Sequence, residues 1–373
     1  MSYIYHHKNW PAFSWDSEEV LSLLSKVKFA EGKLSGKMFM LGFHSQDEAL
    51  LQTLTQEVLK TSSIEGEVLD NDQVRSSVAR KLGMDVFGLV PSDRNVDGVV
   101  DMIYDATKNH RLPLSKKRLS DWHHALFPTG RSGLYEINTG KWRDDKTGPM
   151  QVVSGAMGRE RVHFQAPAAA VIENEMKQFL KWFEQEQQLD PVLKSAVSHL
   201  WFVTIHPFDD GNGRIARALA DMQLTRADGN FPRYYSMSAQ IRKERNQYYS
   251  MLEKTQRGDL DITDWISWYL KCLHSAILAA DTLLAGVLAK ANFWIRHRYE
   301  NFNERQLMMI NRLFDGFEGK LTSTKWSKIA RCSSDTALRD IQDLVAKGVL
   351  CKEEAGGRST AYELETDPPL VSK

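Results

Sequence analysis

The stretch from His206 to Arg217, HPFDDGNGRIAR, gathers groups able to hold a polyphosphate and to move a proton. Pro207 disfavours helical backbone at His206, so a helix expected over 190–204 should stop there. Gly211, Asn212 and Gly213 tolerate positive φ, which lets successive N–H groups turn inward as an anion nest. A helix expected to begin near Gly213 adds unpaired N–H groups and a positive dipole end. Arg214 and Arg217 lie three apart, so both guanidinium groups leave one helix face. Two bidentate donors above a backbone nest suit a polyphosphate better than a single carboxylate. Asp210 adds an oxygen ligand of the kind Mg²⁺ takes alongside phosphate oxygens and water. His206, at the mouth, can accept a proton near neutral pH. These parts point to phosphoryl or nucleotidyl transfer. The Walker and dinucleotide-binding patterns are absent, because no strand precedes the loop and no GK[ST] follows it.

The elements that must position this loop read as mainly helical. Apolar spacing predicts helices over 17–31 and 46–61, with Gly32 and Gly36 interrupting after the first. Further helices are expected over 95–109, 115–126, 167–186, 190–204, 213–227, 242–257 and 261–285, and a long one over 276–300. The Gly-rich segment 139–166 carries two β-prone runs, Met150–Val153 and Arg161–Phe164, around SGAMG, which predicts an inserted hairpin. The early aromatics Tyr3, Tyr5, Trp10, Phe13 and Trp15 are read as packing on neighbouring helices. Beyond residue 300, helices over 304–315, 324–331 and 334–347 precede short strands at Val349–Lys352 and Ala361–Leu364. That is the order of a winged helix-turn-helix.

Lys plus Arg and Asp plus Glu both number 48, so the balanced charge speaks against non-specific nucleic-acid binding by the whole chain. Three scattered cysteines, Cys272, Cys332 and Cys351, suit a reducing compartment. With no membrane-length apolar run and no signal-like start, the chain is expected to be cytoplasmic.

HPFDDGNGRIAR fills every fixed position of the Fic signature, HPFx[D/E]GNGRxxR, and the chain resembles that family over about residues 95–285. The resemblance implies a helical Fic domain with a β-hairpin flap, preceded by an inhibitory helical region (1–90) and followed by the winged helix (286–373). It implies protein adenylyltransfer: His206 deprotonates a Ser, Thr or Tyr hydroxyl, which attacks the α-phosphorus of ATP. Asp210 would hold Mg²⁺, with Gly211, Asn212 and Gly213 at the α- and β-phosphates, Arg214 at the β- and Arg217 at the γ-phosphate. Ile215 and Ala216 complete the ATP-contacting run, and Phe208 anchors the loop. Tyr248 and Tyr249 match a pair bordering adenine, only one of which should touch the base. Gln256 departs from the Asn some relatives carry there. The flap would receive the target segment by main-chain pairing.

Thr61-Ser62-Ser63-Ile64-Glu65-Gly66 matches the family's inhibitory motif, [ST]xxxE[GN]. By that resemblance Glu65 pairs with Arg217 in the γ-phosphate's place; in some relatives it also positions water to remove AMP. Partners expected are ATP, a protein target, the chain itself as a target, and a second copy in a homodimer. The rival reading is a DNA-binding regulator that uses the Fic fold as a nucleotide sensor. It would read DNA through 324–364, with Ser333, Ser334, Thr336, Arg339 and Gln342 at bases and Arg358 in the wing. Asp335, Asp340 and Asp343 on the same helix oppose it.

Overall fold

The computed structural model describes residues 3–84, 89–146, 148–155, 159, 161–229, 232–314, 317, 319–353 and 360–365. Within it the chain forms two compact units, Met1–Leu284 and Ala285–Lys373.

In the first unit a 3₁₀ turn (Ile4–His6) precedes α1 (Ser17–Phe39), α2 (Phe43–Ile64), α3 (Asn71–Leu82), α4 (Arg94–Lys108) and α5 (Lys116–Leu126). Two small antiparallel hairpins follow, β1 (Arg131–Ser132) with β2 (Tyr135–Glu136), and β3 (Gln151–Ser154) with β4 (Arg161–Gln165). Then come α6 (Ala169–Gln185), α7 (Pro191–Ile205), α8 (Asn212–Ala227), α9 (Met237–Lys243), α10 (Arg245–Gln256) and α11 (Thr263–Leu283).

The centre is the α7–α8 pair. Asp190 caps α7 by accepting from the Val192 N–H at 2.8 Å, and Pro191 opens the helix. Every residue from Val192 to Ile205 is buried, as expected of a helix surrounded on all sides. α8 is buried from Arg214 to Thr225 and packs along α7, so the loop joining them has its two ends fixed in the core. α2 lies against α9 and α4, and α1 against α11, which carries the N-terminal region onto the same core.

Several boundaries differ from the sequence expectation. Gly32 and Gly36 do not interrupt α1, which runs on to Phe39 because Leu34 and Met38 continue its buried face. The expected helix 242–257 is two, α9 and α10, meeting at Glu244. The expected long helix over 276–300 is also broken. α11 ends at Leu283, and a separate helix, α12 (Ala285–Arg296), begins the second unit. α3, capped by Asp70 and closed by left-handed Gly83, was not anticipated. The early aromatics do pack: Tyr3 and Tyr5 meet Phe164 of β4, and Trp10 and Phe13 meet Trp201 of α7.

The second unit continues with α13 (Glu304–Phe314), α14 (Ser323–Ile329), α15 (Ser334–Ala346), β5 (Leu350–Lys352) and β6 (Tyr362–Leu364), the strands paired antiparallel. Its core is Phe293, Met309, Ile310, Leu321, Trp326, Ile341, Leu344 and Tyr362. No single helix among the described residues is long and apolar enough to cross a membrane.

Two glycines with opposite surroundings test this packing. A Cβ on Gly98 would overlap the Ala125 carbonyl where α4 crosses α5, whereas nothing lies within 4 Å of a Cβ on Gly36. Gly98→Ala is expected to cost about 2–3 kcal/mol, and Gly36→Ala to stabilise by about 0.5–1 kcal/mol. Denaturant unfolding of the two variants checks both signs.

Candidate active site

The loop between α7 and α8 is set by its own backbone and by three side chains from outside it. His206 closes α7 in the left-handed conformation (φ 52°), unusual for a residue with a Cβ. Arg143 holds it there: its Nε donates to the His206 carbonyl at 2.8 Å, and its backbone N–H donates to the Pro207 carbonyl at 2.9 Å. Phe208 is fully buried and stacks on His123, ring centroids 4.1 Å apart, in keeping with its expected anchoring part. Gly211 is the residue of the glycine turn with positive φ (77°), and a Cβ there would come within 2.9 Å of Phe127 Cε2. Asn212 and Gly213 already belong to α8.

His206 Nδ1 lies 3.1 Å from the Val203 carbonyl oxygen. A carbonyl only accepts, so Nδ1 carries the proton and Nε2 keeps its lone pair. Burial lowers the His206 imidazole to about 4. His206 is therefore a neutral base at neutral pH, with one nitrogen free.

Asp210 and Asp209 part company. Asp209 accepts from the Asn138 N–H at 2.7 Å and serves the loop. Asp210 accepts from the Gly211 N–H at 2.5 Å through Oδ1 and from the Ser132 hydroxyl through Oδ2. His123 also supports this carboxylate's backbone. Its Nδ1 accepts from the Gly140 N–H at 2.8 Å, so Nε2 donates to the Asp210 carbonyl at 3.2 Å. Burial keeps that ring neutral, lowered to about 4.

The two arginines stand on the first two turns of α8, each held by an acid. Arg217 Nη2 donates to Glu65 Oε1 at 2.7 Å and to the Thr61 carbonyl at 3.0 Å, while its Nε donates to Thr61 Oγ1 at 2.8 Å. Arg214 Nη1 donates to Glu67 Oε2 at 2.8 Å. Glu65 presses so closely on the helix start that a Cβ on Gly213 would overlap its Oε1. Burial pulls the Arg217 pKa down, but the Glu65 charge outweighs it and leaves the guanidinium raised. Arg217 Nη1 and Arg214 Nε are buried with no hydrogen-bond partner among the described residues. An oxygen-rich anion at this helix start would satisfy such donors. The end of α2 is fixed too, since Arg245 Nε donates to the Ile64 carbonyl at 2.7 Å and the Tyr249 hydroxyl to Glu65 Oε2 at 3.2 Å.

Other expected site residues are placed differently. Asn212 spends its side chain on the loop itself, accepting from the Phe208 N–H at 3.0 Å and donating to the Phe208 carbonyl at 2.8 Å. It clamps the loop, with one N–H of its amide still unassigned among the described residues. Ile215 and Ala216 have fully buried side chains and contribute packing. The tyrosine pair divides: Tyr248 is turned into the core, its hydroxyl 2.9 Å from His199 Nε2, while Tyr249 faces Glu65. Gln256 is buried and donates to Thr204. Glu67, His123, Ser132 and Arg143 escaped the sequence reading. Only Glu67 left a signal there, as the second acid of Glu65-Gly66-Glu67.

No group of three or more His, Cys, Asp or Glu among the described residues could hold a metal by itself. Of the two loop carboxylates Asp209 is taken up by the Asn138 N–H, which leaves Asp210 as the candidate ligand, and Mg²⁺ bound to phosphates takes one or two carboxylates.

The His206 state is open to direct test. Its folded pKa lies below the 6.5 of a free imidazole, so its contribution to stability is whole above pH 6.5 and is lost as pH falls toward about 4. Nitrogen-15 NMR of the imidazole should show a neutral Nδ1–H tautomer from pH 7 down to about 5, with the transition near 4. A midpoint near 6.5 would contradict this.

Residues 113–224 match the model of the Fic/DOC family, and residues 3–84 match a domain of unknown function, DUF4172. A protein adenylyltransferase Fic of Nematostella vectensis is 36% identical over 123 residues, covering 31% of this chain and 27% of that protein. A probable protein adenylyltransferase of Aquifex aeolicus is 29% identical over 114 residues, covering 31% of this chain and 33% of its own length. Protein adenylyltransferase fic-1 of Caenorhabditis briggsae is 27% identical over 224 residues, covering 58% of this chain and 40% of that one. The chain thus spans well under half of these relatives. Among solved structures, a Fic family protein from Desulfovibrio desulfuricans shares the fold with a TM-score of 0.57 at 19% identity, over 94% of this chain and 97% of that one. A Fic domain-containing signalling protein from Bacteroides thetaiotaomicron does so at 0.51 and 19%, over 72% and 97%. The chain carries a helical domain of the Fic/DOC family.

Proposed function

We propose that this chain is a protein adenylyltransferase, moving AMP from ATP to a Ser, Thr or Tyr hydroxyl of a protein, and that its own Glu65 restrains it. The observation that carries the reading is the start of α8, where two buried guanidiniums with N–H groups unsatisfied among the described residues follow, across one short loop, an imidazole whose Nε2 is left to accept. Triphosphate oxygens would take the places of Glu65 and Glu67 on Arg217 and Arg214. The acceptor hydroxyl gives its proton to His206 Nε2 as its oxygen bonds to the α-phosphorus, and pyrophosphate leaves. Asp210 would hold Mg²⁺, which when bound supplies charge neutralisation on the phosphates. Arg143 and His123 act by keeping His206 and Asp210 in place.

With Glu65 on Arg217, the terminal phosphate has no seat. Glu65→Gly is expected to raise AMP incorporation, with the chain itself as acceptor, by at least about tenfold, equivalent to about 1.4 kcal/mol. Adding His206→Ala should remove about 10²–10⁴-fold of that rate. Intact mass after incubation with ATP and Mg²⁺ reads both; equal incorporation by Glu65→Gly and wild type would count against restraint by Glu65.

A second reading, DNA binding by the second unit, gains from one observation. Asp340 is turned inward onto Arg305 and Asn303, and Asp343 is held by Lys347 and Gln306, so two acids counted against DNA are engaged within the unit. Ser334, Arg339 and Gln342 remain exposed on α15, while Arg358 lies outside the described residues. Duplex binding that weakens steeply with salt would support this reading, and its absence up to high protein concentration would remove it.

A further inference from the structure

The flap carries a second constellation that the nucleotide site does not use. Ser154, exposed at the end of β3, places its Oγ 2.6 Å from His163 Nε2. His163 Nδ1 lies 2.7 Å from Glu253 Oε2 on α10. Hydroxyl, imidazole and carboxylate are thus joined through the same two ring nitrogens that serve an activated serine in hydrolytic enzymes.

The arrangement is built by the backbone. In the β3–β4 ladder Val152 pairs with Phe164 and Val153 with Val162, so His163 is an extra, bulged residue on β4. A bulge re-aims a side chain, and here it brings the imidazole over to Ser154. Glu253 is itself anchored. Its Oε1 accepts from Arg161 at 3.1 Å and faces Arg257 at 3.3 Å, and Arg257 also donates to the Val162 and His163 carbonyls. Burial works against ionisation of Glu253, but hydrogen bonds from His163 and Arg161 hold its pKa below the usual value. An ionised Glu253 accepts the Nδ1 proton, which leaves Nε2 to accept from Ser154. Arg161 is the cross-strand partner of Ser154, and its guanidinium is turned to Glu253.

We propose that Ser154 is an activated nucleophile and a covalent modification site for a phosphorus-centred donor, with His163 as its base, Glu253 orienting that base, and Arg161 holding Glu253. The Ser154 Oγ–phosphorus bond forms as the bond from phosphorus to its leaving group breaks. The hydroxyl proton passes to His163 Nε2, and the leaving group departs with its electron pair. The inference stands apart from the reading of the nucleotide site.

A fluorophosphonate ester, whose leaving group is fluoride, is the probe. The full-length chain is expected to take up one phosphonyl group on Ser154, located by peptide mass mapping. Ser154→Ala should lose it, and His163→Gln should slow it by about 10²-fold. Glu253→Gln should slow it less, because the ring keeps a hydrogen-bond partner. All three side chains lie on the flap or facing it, so matching melting curves are expected and separate lost reactivity from lost folding. Labelling spread over other serines, or an unchanged rate in a folded His163→Gln, would overturn the proposal.

Discussion

The structure turns on one constraint: Arg217 is a guanidinium only 2% exposed, and it must have an anion. Removing such a charge from water is costly unless an opposite charge and hydrogen-bond acceptors meet it. The chain meets the need with Glu65 and adds Glu67 for Arg214. Both acids follow the last turn of α2, a helix packed on α4 and α9, so the anion that fills the site is tied to the core. The site is therefore an anion socket closed by the protein's own carboxylates.

Holding the socket's rim takes residues far away in sequence. Arg143, from the segment before the flap, fixes the left-handed backbone at His206. His123 stacks on Phe208 and supports the Asp210 carbonyl. Asn212 ties the loop back to Phe208. Each neutral or neutralised group is locked by a partner that fixes its protonation or tautomer, which gives the free Nε2 of His206 a single chemical identity.

Much of this was legible in the sequence because it is local. Pro207 ending α7, the arginines three apart on α8, and the helices from α4 to α8 all follow from spacing and caps. The Glu65–Arg217 contact was legible only through the family resemblance, since 152 residues separate the pair. What escaped is decided by tertiary contact. Gly32 and Gly36 look like breakers, yet buried Leu34 and Met38 carry α1 past them. Tyr248 and Tyr249 are indistinguishable as letters, and only packing sends one to His199 and the other to Glu65. Asn212, expected beside the phosphates through the resemblance, also ties the loop to the Phe208 backbone, a contact that its letter does not show.

The most direct measurement is a crystal structure of Glu65→Gly with Mg²⁺ and a non-hydrolysable ATP analogue. The terminal phosphate is expected on Arg217, in the space over Gly213 that Glu65 now fills, with the α-phosphorus open to His206. Phosphates bound elsewhere, with Arg217 held by Thr61 alone, would contradict it.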